Sequence, residues 1–146
     1  MEMTAPDVVT EMFAAYRTSL DALEHRLGNG FSNAVELLAG MDGMVVVCGM
    51  GKSGLVGTKI AATLTSTGTP SVFLHPAEAM HGDLGIVRKG DVIILISNSG
   101  ETEEITRLLP ALKRLSVCII ALVGNVDSTM ARASDICLDA AIDKEA

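Results

Sequence analysis

The hydrophobic residues of this chain fall into short continuous runs that are separated by longer amphipathic stretches. Apolar runs of strand length occur at 44–48, 71–74, 91–96, 117–123 and 136–142. Continuous runs of this kind indicate strands that are buried on both faces. Because the intervening stretches are mostly helical in pattern, the chain predicts βαβ units and therefore an α/β fold with a five-stranded parallel sheet.

The spacing of apolar residues predicts where the helices lie. They are expected at 7–27, at 32–39, from the glycine-rich turn to Ser66, at 101–115 and at 128–133. Asp7 is expected to cap the first helix and Gly28 to end it, and Asn33 has capping-box spacing to Glu36. Right-handed crossovers would place helices on both faces of the sheet, which gives a doubly wound, three-layer αβα sandwich.

Composition narrows the class of protein. The 146 residues suffice for one domain with a sizeable core, and 49% apolar against 20% charged residues indicates a globular chain. Only 3% are aromatic, so the core is expected to be aliphatic, as suits a parallel sheet covered by helices. A net charge of −7 argues against nucleic acid as a partner.

The cysteines and the termini bear on the compartment. Cys48, Cys118 and Cys137 lie in apolar, strand-like runs without C-x-x-C spacing, which indicates buried, reduced thiols in a reducing compartment. No basic region followed by an apolar run opens the chain, so no signal peptide is expected. The apolar runs are far shorter than the roughly 18 residues of a membrane span, so no membrane partner is expected.

A hydroxyl-rich turn follows the third predicted strand. We call residues 97–102 the serine loop; it reads Ser97-Asn98-Ser99-Gly100-Glu101-Thr102 and leads directly into a helical pattern. Such a turn offers hydroxyl donors, free backbone N–H groups and the positive end of a helix dipole, a combination that suits a phosphate. The alternative is an ordinary strand-to-helix turn that is capped by Ser99 or Thr102.

A second turn, which we call the glycine turn (49–54), follows the first predicted strand. It matches G-x-G-x-x-G, but the acidic residue that a dinucleotide site needs after the second strand is absent. A nucleoside triphosphate loop would require glycine where Val46 stands. The remaining reading is a tight turn that brings Lys52 and Ser53 to a helix N-terminus, where the lysine is either a surface residue or a point charge for an anion.

Candidate functional residues follow several strands. Lys52, His81, the serine loop and Glu145 all come after predicted strands. In open α/β sheets ligands bind outside the carboxyl ends of the strands, so these residues are expected to converge on one edge of the sheet.

Several strings together resemble the sugar isomerase (SIS) domain family, which binds phosphosugars. They are the glycine turn, Ser66-Thr67-Gly68-Thr69-Pro70, His81-Gly82-Asp83-Leu84-Gly85, the serine loop and Lys144-Glu145-Ala146. The resemblance covers about residues 40 to 146 and is closest to the arabinose-5-phosphate isomerase branch of the family. It implies a flavodoxin-like, doubly wound sheet, with N-terminal helices over 1–40 and the SIS domain over 41–146.

The resemblance also implies a reaction and a setting. D-ribulose 5-phosphate and D-arabinose 5-phosphate would interconvert, as the first step toward the sugar acid Kdo of lipopolysaccharide, in a cytoplasmic homotetramer without a metal or organic cofactor. The functional residues carried over by matching are Lys52, His81, Glu104 and Glu145. The residues expected to hold the substrate phosphate are Gly51, Ser53, Ser97, Asn98, Ser99 and Thr102.

The chemistry of an aldose–ketose isomerase calls for these residue types. A carboxylate near C1 and C2 can move the proton through a cis-enediol as general base, and either Glu104 or Glu145 fits that role. A histidine or a second carboxylate can help to open the sugar ring. A lysine can neutralise the phosphate or the developing enediolate.

The neighbouring charged residues have simpler interpretations. Glu101 suits the N-terminus of a helix. Glu103 has Arg107 four residues later and is expected to form a solvated surface pair. His75 is expected to be structural or peripheral, and His25 a solvated surface residue.

Members of the family continue past the Lys-Glu-Ala string into a long helix with a further functional histidine, and many then carry CBS regulatory domains. This sequence stops at Ala146, so we expect a domain without that helix and without CBS domains. Two other functions stay open. One is a phosphosugar-binding regulatory domain without turnover, and the other is an SIS isomerase of a hexulose or heptose phosphate. A nicotinamide-binding protein is a more distant alternative.

Overall fold

The computed structural model describes residues 4–142 and contains one parallel sheet between layers of helices. The helices are α1 (Ala5–Arg26), α2 (Gly28–Gly40), α3 (Gly51–Ser66), α4 (Pro76–Met80), α5 (Glu103–Thr106), α6 (Leu109–Leu115) and α7 (Thr129–Ala133). The strands are β1 (Val45–Gly49), β2 (Ser71–Phe73), β3 (Val92–Ser97), β4 (Cys118–Val123) and β5 (Ile136–Asp139). A short 3₁₀ helix spans Asp83–Ile86.

All neighbouring strands pair in parallel, in the spatial order β2-β1-β3-β4-β5. This is the doubly wound, flavodoxin-like order, so the predicted fold class is confirmed. The chain leaves β1 toward β2 and then returns to form β3 on the other side of β1. The reversal makes β1 and β3 the switch point, where loops that follow adjacent strands diverge and leave room for a ligand.

The two faces of the sheet build separate apolar cores, because alternate residues of each strand point to opposite faces. One core packs the sheet against α4 to α7, and its fully or nearly fully buried residues include Val46, Cys48, Ile93, Leu95, Ile105, Leu108, Leu112, Ile119 and Met130. The other packs the sheet against α2 and α3, and its buried residues are Ala34, Val45, Val47, Ala61, Val92, Ile94, Ile96 and Ile120. The three-layer arrangement follows from these two cores.

The start of the chain differs from its prediction in detail. Thr4 rather than Asp7 is the N-cap of α1, and its N–H and hydroxyl both donate to Asp7 Oδ2, at 3.0 and 2.6 Å. These hydrogen bonds hold the pKa of Asp7 below its usual value. α1 ends at Arg26, just before Gly28 as predicted, but Gly28 also begins α2, so Asn33 lies inside α2 and caps nothing. Thr4 and Asp7 form a capping box, in which Asp7 is the third helical residue and not the N-cap that its position after Pro6 predicts.

The helix predicted over 101–115 is two helices. α5 ends at Thr106 and α6 begins at Leu109. Pro110 occupies the first turn of α6, where its missing N–H is tolerated. Within a continuous helix it would lose a hydrogen bond and its ring would clash with the preceding turn, which explains the break.

The helix α1 buries none of its 22 residues. Its apolar side chains are largely open to solvent: Phe13 is 52% exposed, Tyr16 53% and Leu20 63%. Arg26 at its end joins it to the sheet, because Nε lies 3.5 Å from Asp139 Oδ2 at the end of β5. No helix within residues 4–142 is both long and apolar enough to cross a membrane.

The cysteines divide by environment. Cys48 is fully buried in β1, and burial raises the pKa of its thiol to about 12. Cys137 is half-buried, and burial and the nearby Asp139 carboxylate raise its pKa. The expectation of a buried thiol is wrong for Cys118, which is exposed because it lies at the first position of β4, where the end of the sheet meets solvent.

Asp91 organises the opposite, amino-terminal end of the sheet. Its carboxylate is 7% exposed and accepts N–H groups from Met44 (2.9 Å) and Arg88 (2.7 Å). These bonds tie the turn before β3 to the start of β1, so the two central strands are aligned.

Candidate active site

The candidate residues lie at the carboxyl edge of the sheet. Lys52 follows β1, His81 follows β2 at the end of α4, and the serine loop follows β3. Since β1 lies between β2 and β3 in a parallel sheet, the segments after these three strands emerge side by side. α4, which carries His81 at its end, also contacts α5, which carries Glu104.

Three hydroxyl groups of the serine loop cluster together. Ser97 Oγ lies 2.7 Å from Thr102 Oγ1 and 3.4 Å from Ser99 Oγ, and it also accepts the Gly100 N–H at 3.1 Å. Ser97 is 3% exposed, whereas Ser99 is open to solvent. Ser97 is therefore the buried member of the cluster, and Ser99 is accessible to a ligand.

Thr102 is the N-cap residue of α5, as the ordinary-turn reading expected, but its side chain does not cap the helix. Its hydroxyl bonds to Ser97 instead. The Ile105 N–H donates to the Thr102 carbonyl at 3.0 Å, whereas the N–H groups of Glu103 and Glu104 have no acceptor among the described residues. These two groups are available to an external acceptor such as a phosphate oxygen.

Asn98 stands apart from the hydroxyl cluster. Its carbonyl accepts the N–H of Gly124 at 2.9 Å, at the end of β4. A Cβ added to Gly124 would lie 2.2 Å from Asn98 Oδ1, so the side chain of Asn98 folds over this glycine. In this conformation its amide group is not part of the hydroxyl cluster.

The glycine turn lets α3 approach β1 closely. A Cβ on Gly49 would lie 2.8 Å from the Ser53 carbonyl oxygen, and one on Gly54 would lie 2.8 Å from the Gly49 carbonyl oxygen. Gly51 has a φ of +57°, which residues other than glycine rarely adopt. The glycine pattern is therefore explained by close packing and a left-handed turn, without a dinucleotide.

The result of this packing is that Lys52 and Ser53 occupy the first turn of a 16-residue helix. Lys52 is exposed, and its ammonium group forms no ion pair within residues 4–142. Ser53 is half-buried. A free cation and the positive end of a helix dipole are thus combined next to β3.

The three glutamates after Gly100 have different partners. Glu101 turns toward α7, where its Oε1 accepts the Thr129 N–H at 2.6 Å. Hydrogen bonds from the Thr129 backbone and side chain, with a smaller contribution from the charge of Arg132, lower the pKa of Glu101. Glu103 forms the predicted ion pair with Arg107. Two of the three carboxylates are therefore engaged away from the hydroxyl cluster.

Glu104 is the remaining carboxylate. It is half-buried on α5, one turn before the buried Leu108, and within residues 4–142 its side chain has no recorded hydrogen bond. A partly buried carboxylate without a hydrogen-bond partner among the described residues, beside an anion-type loop, is a candidate general base.

The three histidines lie in different environments. His75 is structural, because it is the N-cap of α4 and its Nδ1 accepts the Ala77 N–H at 3.3 Å. His25 is exposed on α1. His81 is also exposed, at the C-cap of α4 and near the carboxyl edge, where its ring is accessible to a ligand.

Glu145, the second carried-over glutamate, lies outside the described residues. The contact between Glu101 and α7 was missed by sequence reasoning. A short helix at 128–133 was predicted, but no pattern in the chain pairs residues that are 28 positions apart.

Among residues 4–142, no three His, Cys, Asp or Glu side chains are grouped closely enough to hold a metal ion. The candidate groups at the carboxyl edge are the hydroxyls of the serine loop, the Lys52 ammonium group, the His81 ring and the Glu104 carboxylate. This set favours an anionic organic ligand.

The fold and the candidate site together define an α/β protein with an anion-type loop after the third strand of a doubly wound sheet. The family model of the SIS domain matches residues 41–146, and the chain belongs to this family.

Two curated relatives and one solved structure make the similarity more specific. Over 130 residues the chain is 55% identical to arabinose 5-phosphate isomerase KdsD of Pseudomonas aeruginosa, and the match covers 89% of this chain and 40% of that protein. Over 136 residues it is 52% identical to KdsD of Escherichia coli K12, and this match covers 93% of the chain and 42% of the relative. The chain thus spans about two-fifths of the length of the curated relatives it matches.

The solved structure is E. coli CFT073 c3406 in complex with A5P. It superposes with a TM-score of 0.83 at 40% identity, over 98% of this chain and 78% of that one.

Proposed function

We propose that this chain is the SIS domain of an arabinose-5-phosphate isomerase, which interconverts D-ribulose 5-phosphate and D-arabinose 5-phosphate. The observation that carries the proposal is the cluster of three hydroxyls after β3, with a free lysine at the helix that follows the neighbouring strand. The similarity to a protein whose structure contains A5P supports the choice of substrate.

The serine loop and the glycine turn would hold the phosphate. In the proposed complex, Ser97, Ser99 and Thr102 donate hydroxyl hydrogens, the first turn of α5 donates N–H groups, and Lys52 neutralises the charge. Gly51 and Ser53 would line the same site, and Asn98 would join them if its side chain turned away from Gly124. Hydrogen bonds between charged and neutral partners contribute about 1.5–3 kcal/mol each, so a few of them suffice for micromolar binding.

Glu104 is our candidate for the base that acts at carbon. In the proposed step its carboxylate removes the proton from C2 of the aldose and returns it to C1 through a cis-enediol. The mechanism needs only proton transfers, so acid–base groups supply it in full. His81 would open the sugar ring or move hydroxyl protons, and Glu145 would be the alternative or second carboxylate.

Proton NMR of the chain with D-arabinose 5-phosphate in heavy water tests the proposal. We expect ribulose 5-phosphate to appear and deuterium to enter at C2. Binding without turnover or exchange would favour the regulatory reading, and the absence of any spectral change would contradict this substrate. A hexulose or heptose phosphate, tested in parallel, should be turned over far more slowly.

Two pairs of variants separate the roles. Lys52→Ala should weaken phosphosugar binding in calorimetry by about tenfold or more, since it removes a charge-assisted contact. Lys59→Ala, on the exposed face of the same helix, is the matched control. Unchanged affinity in Lys52→Ala would show that the lysine does not face the phosphate.

Glu104→Gln should leave binding intact while C2 exchange falls by about 10²–10⁴-fold, the usual contribution of a positioned general base. The matched control is Glu103→Gln, because Glu103 is paired with Arg107 on the surface. Exchange at the wild-type rate in Glu104→Gln would remove this residue as the base.

The setting of the protein is also part of the proposal. We infer a cytoplasmic homotetramer that acts at the start of Kdo synthesis for lipopolysaccharide, with N-terminal helices over 1–40 and the SIS domain over 41–146. The exposed apolar residues of α1, together with Leu55 (74% exposed) on α3, support self-association.

Sedimentation of the chain tests the oligomeric state. We expect a tetramer, and Leu20→Glu, among the exposed apolar residues of α1, should dissociate it. Arg17→Glu introduces the same side chain on the same helix at an exposed polar position and should not. A monomer at micromolar concentration would contradict the proposal.

A further inference from the structure

We propose that Glu101 is a positioning residue that fixes the shape of the serine loop by binding the first turn of α7. This inference rests on the proposed function of that loop as a phosphate site. Glu101 itself points away from the hydroxyl cluster, so it would act through the loop and not on the substrate.

The first turn of α7 is bound entirely by the loop and by its own cap. Its first N–H, from Thr129, donates to Glu101 Oε1 at 2.6 Å, and its second, from Met130, donates to the Gly100 carbonyl at 3.1 Å. The third, from Ala131, donates to Ser128 Oγ at 3.3 Å. The first N–H groups of a helix have no acceptor within the helix, so the serine loop supplies two of the acceptors for α7.

The loop gains rigidity from the same contact. Gly100 has a φ of +65°, and a Cβ on it would lie 2.0 Å from Ser128 Oγ. Ser128 is fully buried, so the turn of the loop rests directly on a fixed part of the core. The peptide unit that joins Gly100 to Glu101 is therefore held by α7 through the Gly100 carbonyl.

The contact between Glu101 and Thr129 is linked to the hydroxyl cluster through the backbone of Glu101. Its N–H donates to Ser99 Oγ at 3.2 Å, while its side chain is held by Thr129. The Gly100 N–H in turn donates to Ser97 Oγ. Releasing the Glu101 side chain would remove one of the contacts with α7 that hold these two N–H groups in place.

The direction of the carboxylate has a second effect. Glu101 is adjacent in sequence to a threonine that is proposed to bind phosphate, and a free carboxylate there would repel the anion. Thr129 and the positive charge of Arg132 hold it on the far side of the loop. The same contact thus shapes the loop and removes a competing charge.

The test compares Glu101→Ala and Glu101→Gln in the whole chain, with calorimetric binding of D-arabinose 5-phosphate and of inorganic phosphate. Glu101→Ala should weaken both by about tenfold, because loss of the charge-assisted bond to Thr129 loosens the loop. Glu101→Gln keeps an oxygen acceptor and should restore affinity to within about threefold of wild type. Glu103→Ala is the control and should bind normally.

Amide hydrogen exchange gives an independent readout. Exchange at Gly100 and Met130 should accelerate in Glu101→Ala and recover in Glu101→Gln. Unchanged exchange, or a lower melting temperature with unchanged affinity for both ligands, would overturn the positioning role. If the wild-type chain binds neither ligand, the proposed function fails, and the exchange rates alone still decide whether Glu101 braces the loop.

Discussion

Gly100 is where the serine loop comes closest to α7, and replacing it with alanine should destabilise the protein in two ways. Its φ of +65° is left-handed, which costs an alanine about 1–2 kcal/mol. The new Cβ would also lie 2.0 Å from Ser128 Oγ and 2.4 Å from Ser128 Cβ. Overpacking of a fixed core typically costs about 1–3 kcal/mol more.

The expected loss for Gly100→Ala is therefore about 3 kcal/mol in the free energy of unfolding. For a chain of this size each kcal/mol lowers the melting temperature by roughly 2–4 °C, so calorimetry should detect a decrease of roughly 6–12 °C. Phosphosugar affinity should fall as well, because the turn of the loop must move away from α7.

Gly51→Ala separates strain from collision. Gly51 has a similar φ of +57°, but nothing lies within 4 Å of a Cβ built there. It should lose only the conformational contribution, about 1–2 kcal/mol, or roughly 2–8 °C, which is less than the loss in Gly100→Ala. Equal melting temperatures for the two variants would refute the reasoning, because the contact with Ser128 would then have no energetic cost.

Two further predictions concern buried groups away from the candidate site. Asp91→Ala should lower the free energy of unfolding by roughly 2–4 kcal/mol in urea denaturation, because two backbone N–H groups lose their acceptor. The exposed Asp42→Ala should change it by less than about 0.5 kcal/mol, and similar values for both would argue against the strand-aligning role. In thiol titration at pH 8, Cys118 should react in the folded protein. Cys48, whose pKa is raised to about 12 by burial, should react only after unfolding; equal rates would contradict its burial.

The sequence was most informative where the pattern is local. Continuous apolar runs marked all five strands, and the four-residue spacing of Glu103 and Arg107 identified their ion pair. The hydroxyls of the serine loop were also visible as a string, and the structure brings three of them within hydrogen-bonding distance. In these cases the interacting groups are close in the chain, so spacing alone determines geometry.

Longer-range features could not be read in this way. The contact of Glu101 with Thr129 spans 28 residues and depends on how α7 packs against β4. The exposure of Cys118 depends on its position at the end of a strand, which an apolar run does not reveal. The break before Pro110 was locally visible, but a continuous apolar stripe outweighed it in the prediction.

The amide hydrogens of α1 are a natural reporter of assembly. The 22-residue helix α1 has no fully buried residue within its own chain, and only some of its side chains, such as Ala22 and Leu23, are half-buried. Isolated helices are marginal in water, so its amides should exchange through local opening at low free energy, independently of the sheet. Any partner that covers the exposed apolar residues of α1 would slow that exchange in proportion to the fraction of chains that it binds. Protection measured across a dilution series would therefore give a dissociation constant from this one helix.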